Sequence, residues 1–366
     1  MSLTARFQAR FFQDYRSMLN TPVTSKQPHS VPTIKDVAKA AGCSTATVSR
    51  ALATPEKVSD ATRKRVNQAI AQVGYSPNIA ARNLRRAESK TIVALLPDIS
   101  NPFFSEIISG MEDVAHQAGY QILIGDCEHD PARAEAYFRL LSTNQADGIV
   151  LMTSEIPKAL VKQADGQASF PLVMACEFFS DIDLPLIAVD NHQASCQAID
   201  YLVSLGHRRI ATLSGPANNP ICQERNRGYR DTLAAHQLSN EARIAEGNFG
   251  FRSGYQQGLA LLEGKAPRPT AIFCHSDEMA VGVLKAARQL GIRVPDQLSV
   301  VGFDNIGLSE YCDPELTTIS QPRNEIGQQA MQLLLHLLRG EQAIRHQTLS
   351  SHLIVRKSTG RLKGQP

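Results

Sequence analysis

Two different rhythms of apolar residues run along the chain, and one gives way to the other near residue 90. Before that point the spacing is helical. Val37, Ala38 and Ala41 share one face of a short helix opened by Thr33-Ile34-Lys35-Asp36, which has the Ser/Thr-x-x-Asp form of a capping box, and Gly42 ends it. Ser44 is placed to cap a second helix, Thr45–Ala53, whose Val48 and Leu52 face inward before Pro55 stops it. Ser59 caps a third, in which Val66, Ala69, Ile70 and Val73 recur at helical spacing with Gly74 beyond. Three short helices, the first two joined by a tight turn, predict a helix-turn-helix unit over residues 32–76. From Thr91 onward, short apolar runs alternate with amphipathic stretches. Residues 92–96, 120–124, 149–152, 210–213, 271–273 and 299–303 read as strands, and residues 103–118 and 133–141 as helices between them. That alternation predicts α/β architecture with parallel sheets and crossover helices. About 275 residues are too many for one sheet, so two lobes are expected.

The chain has 366 residues, 43% hydrophobic and 20% charged, which suits two or three globular domains. Its net charge of +3 hides an asymmetry. Residues 33–90 carry eleven Lys/Arg against four Asp/Glu, residues 1–32 four against one, and the remainder 23 against 30. A basic N-terminal part on an acidic body is the signature of an end that meets a polyanion; a solvated basic face is the alternative. Residues 1–31, an Arg/Phe-rich piece followed by a polar stretch with Pro22 and Pro28, read as a disordered extension, with a short basic amphipathic helix as the other reading. The seven cysteines are odd in number and form no CxxC pair or zinc-finger spacing, which points to reduced thiols rather than a disulfide frame or a metal site. No apolar run reaches the ~18 residues of a membrane span, and polar residues interrupt the N-terminus, so a cytoplasmic protein without membrane contact is expected.

The second helix presents Thr45, Ala46, Thr47, Ser49 and Arg50 outward. Small side chains let a helix sit deep in the major groove, Thr meets a thymine methyl or a base edge, and Arg grips guanine or a phosphate. Thr33, Lys57, Ser59, Thr62 and Arg63 complete the DNA-facing set, the last four as holders of flanking phosphates. The competing reading is a three-helix protein-interaction module. No Walker A or GxGxxG follows the first strand and no GxSxG is present, so no cofactor is expected. Asp126-Cys127-Glu128-His129 stands at a strand end followed by Pro131, which reads as an ordinary βα loop, with a metal or thiol site as the alternative.

Thr33-Ile34-Lys35-Asp36-Val37-Ala38, STATVSRAL (44–52) and VGYSPNIAARNL (73–84) together resemble the headpiece of lactose/galactose-repressor family regulators. SNPFFSEII (100–108), GHRRIA (206–211), CQERNRGY (222–229), FCHSDEMAVG (273–282) and VGFDN (301–305) resemble that family's periplasmic-binding-protein-like core, two lobes with three crossovers around a cleft. The resemblance implies a headpiece over 32–76, a hinge over 77–90 and an effector-binding and dimerisation core over 91–366, with an N-lobe of 91–189 plus 321–348 and a C-lobe of 190–320 plus 349–362. It implies a hinge that becomes helical on DNA beside its dimer partner, with Asn78 and Arg82 on backbone or groove and Leu84 wedged between base steps, kinking the duplex.

The same likeness implies effector contacts at Phe103, Phe104, Arg225, Phe249 and Asp277: aromatic faces for a planar ring, Arg and Asp for polar edges and sugar hydroxyls. There is a departure. Cys176 and Glu177 stand where several family members place an Asp, and Glu177 and Asp126 join the candidate effector set. IGDCEH (124–129), ACEF (175–178), FCHSD (273–277) and CDPELTTISQPR (312–323) resemble a nucleoside-responsive branch. That implies a homodimeric repressor on double-stranded operator DNA, cytidine as the favoured effector, and joint binding with the cyclic-AMP receptor protein. A sugar or purine effector, or an activator, fits the residues alone as well. A salvage enzyme with a DNA-binding appendage needs a triad or metal cluster, which is not found. A pure small-molecule binder needs neither headpiece nor basic end.

Overall fold

The computed structural model describes residues 32–75, 88–161, 170–264, 267–342 and 344–362. The expected extension over 1–31 and the hinge residues Asn78, Arg82 and Leu84 lie outside the described residues. The chain divides into two compact units, residues 1–82 and 83–366.

In the first unit, α1 (Ile34–Ala41) and α2 (Thr45–Ala53) form the helix-turn-helix pair, and α3 (Asp60–Val73) packs across both. The Asp36 carboxylate accepts from the backbone N–H and the hydroxyl of Thr33 at 2.8 and 2.7 Å, which fixes the start of α1. Gly42 and Gly74 close α1 and α3 at φ +60° and +67°, left-handed conformations that cost glycine nothing. Val37, Val48 and Val66, one from each helix, are fully buried and meet among Ala38, Ala41, Ala51 and Ala69, small residues that let the axes approach. Ser59 departs from expectation. Its hydroxyl bonds the Thr62 hydroxyl at 3.0 Å and caps no backbone N–H of α3.

The second unit begins with β1 (Thr91–Leu96), α4 (Phe103–Gln117), β2 (Gln121–Asp126), α5 (Pro131–Ser142), β3 (Gly148–Leu151), α6 (Lys158–Val161), β4 (Leu172–Ala175) and β5 (Leu186–Val189). It continues with α7 (Asn191–Ser204), β6 (Ile210–Ser214), α8 (Pro220–Ala235), β7 (Arg243–Glu246), α9 (Phe251–Glu263), β8 (Ala271–Cys274), α10 (Asp277–Gln289), β9 (Ser299–Asp304), α11 (Leu308–Tyr311) and β10 (Thr317–Ser320). The last elements are α12 (Arg323–Leu338), β11 (His346–Leu349) and β12 (His352–Ile354). Two six-stranded sheets result, in the orders β11-β5-β4-β3-β1-β2 and β12-β10-β9-β8-β6-β7, parallel throughout except for the β10–β12 pair. The central strands bury every side chain, which is why they read as unbroken apolar runs. β2, β6 and β9 run on past those runs to Asp126, Ser214 and Asp304, since backbone pairing is indifferent to side-chain polarity.

α4 and α12 cover one face of the first sheet, where Ile107, Met111 and Ala115 meet Ile326, Ala330 and Met331. Their axes lie close enough that a Cβ at Gly110 would strike the carbonyl of Asn324, and one at Gly327 the carbonyl of Ile107. α5 covers the opposite face with Ala134, Phe138 and Leu141. Around the second sheet, α9 and α10 pack on one side and α7 and α8 on the other, with Tyr229 fully buried and its hydroxyl donating to the carbonyl of Ile210 at 2.7 Å. The chain passes between the lobes after β5, β10 and β11, so α12 returns to the first lobe.

Gly327→Ala tests the α4–α12 crossing. It should destabilise the second unit by about 1–3 kcal/mol, as overpacking does, seen as a lower urea midpoint for that unit while the headpiece transition stays where it was.

Candidate functional site

The carboxyl ends of both parallel sheets converge on one cavity of about 280 Å³, the position at which open α/β folds take ligands and close to the lower end of the ~300–1,000 Å³ range of small-molecule sites. The first lobe contributes Phe103 and Phe104 at the start of α4, His129 and Glu155 after β2 and β3, and Cys176 and Glu177 after β4. The second contributes Asn219 and Arg225 from α8, Phe249 after β7, His275 after β8 and Asp304 at the end of β9. Phe103 and Phe104 meet edge to face, ring centres 5.2 Å apart. Four wall residues that are not glycine, His129, Cys176, Phe249 and Asp304, hold left-handed φ of 56°, 60°, 68° and 111°. Backbone strain of this kind gathers where a loop must aim a side chain.

Arg225 is the centre of the wall's electrostatics. It is buried, donates from Nε to Asn191 at 2.8 Å and from a terminal nitrogen to the carbonyl of His275 at 2.6 Å, and lies 3.6 Å over the ring centre of Phe303. Burial pulls its basicity down, while the nearby Asp304 carboxylate pushes it back up. Those two bonds use two of the five N–H donors of a guanidinium. Asp304, held by the side-chain amide of Gln321 at 2.8 Å, is raised by burial to about 6, with Arg225 opposing the rise. Glu177 is raised by burial to about 7. It accepts from Ser154 of its own lobe at 3.1 Å and from Asn219 of the other at 3.0 Å, so it ties the lobes together across the cavity. Asn219 also caps α8 through its carbonyl oxygen, which receives the N–H groups of Ile221 and Cys222. His129 pairs with Glu155, whose carboxylate raises its basicity.

Of the residues singled out from sequence, Phe103, Phe104, Glu177, Arg225 and Phe249 come together here. Asp126 and Asp277 stand outside the lining. Asp126 accepts from the backbone N–H of Glu128 at 3.1 Å and so shapes its own loop; His129 from that loop reaches the cavity in its place. Asp277 is completely buried, where its carboxylate accepts from the N–H of Ile306 at 2.8 Å and the hydroxyl of Thr318 at 2.6 Å, tying the segment after β9 to β10. Burial pushes it well above the ordinary carboxylate range. Asp304, within the VGFDN run at the end of β9, borders the cavity and was not singled out, although its place at a strand's carboxyl end obeys the rule used for the others. Asn219 and His275 were missed as well. Cys127 is buried and its thiol is pushed up by desolvation, which disfavours a thiolate nucleophile. Among the described residues no cluster of metal-binding side chains forms, and no helix is long and apolar enough to cross a membrane.

In the headpiece, taken alone, Thr45, Ala46 and Arg50 are exposed on α2, while Thr47 and Ser49 are half-buried beside them. Thr47 shares a 2.9 Å hydroxyl contact with the cap Ser44, whose oxygen also receives the Thr47 N–H at 3.1 Å. Thr33 and Lys57 are exposed. Arg63 is half-buried and ion-paired with Asp60 at 2.8 Å.

A helix-turn-helix unit joined to a two-lobed binding fold with an interlobe cavity defines a ligand-responsive DNA-binding regulator. Residues 33–78 match the model described as "Bacterial regulatory proteins, lacI family", and residues 199–359 match "Periplasmic binding protein-like domain". The chain is 44% identical over 338 residues to the HTH-type transcriptional repressor CytR of Escherichia coli (strain K12), covering 92% of this chain and 98% of that one. It is 35% identical over 308 residues to the HTH-type transcriptional repressor PurR of Vibrio atlanticus (strain LGP32), covering 84% and 92%. Its fold matches the lac repressor dimer bound to operator and the anti-inducer ONPF with a TM-score of 0.80 at 27% identity, over 90% of this chain and all of that one. The chain belongs to the lacI family of bacterial regulatory proteins.

Two predictions follow the buried carboxyls. Because Glu177 is raised from 4.5 to about 7 in the folded chain, its stabilising contribution is complete below pH 4.5 and is lost as pH rises through 7. Glu177→Gln keeps an acceptor for Asn219 and should equal wild type in urea midpoint at pH 4.5 but exceed it at pH 8. Asp277→Ala orphans the Ile306 N–H and the Thr318 hydroxyl, and should cost at least about 1–3 kcal/mol of stability, measured by urea denaturation of the second unit.

Proposed function

We propose that this chain is a sequence-specific transcriptional repressor whose operator affinity is set by a nucleoside, cytidine in particular, held in the interlobe cavity. The observation that carries this reading is the convergence of aromatic side chains and buried, oppositely charged groups from both lobes in one ligand-sized space, in a chain that also bears a helix-turn-helix. Likeness to a repressor named CytR supports the nucleoside.

In this reading a homodimer binds a pseudo-palindromic operator in the cytoplasm. Each α2 enters a major groove, where Thr45, Ala46, Thr47, Ser49 and Arg50 meet base edges. Lys57, Ser59, Thr62 and Arg63 hold flanking phosphates, Arg63 exchanging Asp60 for phosphate oxygen, and Thr33 stands in the same DNA-facing set. Asn78 and Arg82 extend the contact into the minor groove and Leu84 opens a base step at the centre. The cyclic-AMP receptor protein is the proposed partner on neighbouring DNA. In the core, the base lies against Phe103, Phe104 and Phe249, and Asp304 and Arg225 take the polar groups. Glu177–Asn219 is the bond across which ligand alters lobe closure. A ligand moves this equilibrium only by its difference in affinity for the two forms; a coupling of about 1–3 kcal/mol changes operator affinity ~5–150-fold. No step in this cycle makes or breaks a covalent bond.

Fluorescence-anisotropy titration of a selected operator at fixed salt, with and without cytidine, tests the reading. A cytidine-dependent shift that ribose and adenosine do not reproduce is expected; tight operator binding that no nucleoside alters contradicts the effector assignment. In the same assay Arg50→Ala should weaken operator binding roughly tenfold or more and narrow the gap between operator and mismatched sites.

A further inference from the structure

His207 and His275 are both buried in the second lobe, at 1% and 0% exposure, and they differ in one respect. His207 is fully served: Nδ1 meets the Thr270 hydroxyl at 3.0 Å, and Nε2 meets the Ser299 hydroxyl at 2.9 Å and the carbonyl of Gly360 at 3.1 Å. Neither ring nitrogen of His275 finds a partner among the described residues. Burying a polar ring without partners is unfavourable, and folded proteins seldom retain such a group without a use for it. His275 belongs to the cavity wall, in the turn that links β8 to α10, with its own carbonyl held by Arg225 and its ring 5.4 Å from that of Phe273.

We infer that His275 is a specificity-determining contact for the effector, its imidazole supplying a hydrogen bond to an uncharged polar edge such as a nucleobase presents. This rests on the cavity being the effector site. Arg225 offers only donors, and an ionised Asp304 only acceptors. Burial and the neighbouring Arg225 keep the His275 ring neutral by lowering its basicity well below the ordinary value. A neutral imidazole carries one donor and one acceptor, and with neither nitrogen tied to a neighbour it can meet either a ring nitrogen or an N–H of the ligand, but not an edge that offers no polar atom. Discrimination by a buried polar group is sharp, because a ligand lacking the matching atom leaves the group unpaired. The ring is sealed from solvent, so the contact forms as the bound ligand shifts the neighbours that cover it.

The test uses the full chain and His275→Leu, which keeps the bulk and removes both nitrogens, alongside His275→Asn and His275→Gln, which return an amide at the depth of Nδ1 or Nε2. Calorimetric titration with cytidine, uridine and adenosine is expected to show cytidine binding weakened at least tenfold by Leu, and one of the two amides restoring part of it. Thermal unfolding without nucleoside supplies a readout independent of ligand identity: His275→Leu should melt at or above the wild-type midpoint, because it removes an unpartnered group. Wild-type cytidine affinity in His275→Leu would overturn the inference while leaving the effector site intact. A midpoint several degrees below wild type would overturn it too, by showing that the ring already has partners in the folded chain. If wild type binds none of the three nucleosides, the nucleoside reading fails, and the thermal result alone decides whether His275 is held unpartnered for another ligand.

Discussion

A guanidinium buried at the meeting of two lobes sets the terms for everything around it. Removing a charge from water is expensive, and the expense is offset only where geometry and compensating charge are good. Arg225 meets this condition with two short hydrogen bonds, an aromatic face and the nearby carboxyl of Asp304. Its bonds reach Asn191, at the start of the first helix after the crossover from the N-lobe, and the carbonyl of His275, in a turn of the cavity wall. The side chain that faces the ligand space therefore also braces the segment through which the lobes are connected.

The carboxyls show the other half of the constraint. Asp304 and Glu177 are raised by the same burial that makes them useful, and each is drawn part of the way back by specific partners. Glu177 answers to Asn219 across the cavity, and Asn219 holds the first turn of α8, on which Arg225 is carried. A ligand that competes for any one of these groups acts on lobe spacing, helix position and crossover together. On the proposed function, this coupling is what lets a ligand in the cavity bias operator binding.

Much of this architecture was legible in the residues. Apolar runs of four to six positions mark strands buried on both faces, and glycines at left-handed φ mark where α1 and α3 end. The cavity was legible as a region, since functional side chains fall at strand ends, but not as a list. Asp277 and Asp304 illustrate why. Both are acids beside strands of the same sheet, and only the three-dimensional path shows that one is consumed by Ile306 and Thr318 while the other borders the open space. Ser44 and Ser59 share one spacing to a Thr three residues on and both meet its hydroxyl, yet only Ser44 also receives a backbone N–H, a difference the spacing does not carry. Asn219 and His275 carry no periodicity that announces them; their importance lies in a bond across lobes and in bonds left unmade.

Arg225→Lys tests the central claim most directly. Lysine keeps the positive charge beside Asp304 but loses the planar fork that spans Asn191 and the carbonyl of His275. Operator affinity, measured by anisotropy over a range of cytidine concentrations, should show the response to cytidine displaced to at least tenfold higher concentration than in wild type. A cytidine response identical to wild type would contradict the claim that this buried guanidinium is the point at which ligand binding is converted into control of DNA affinity.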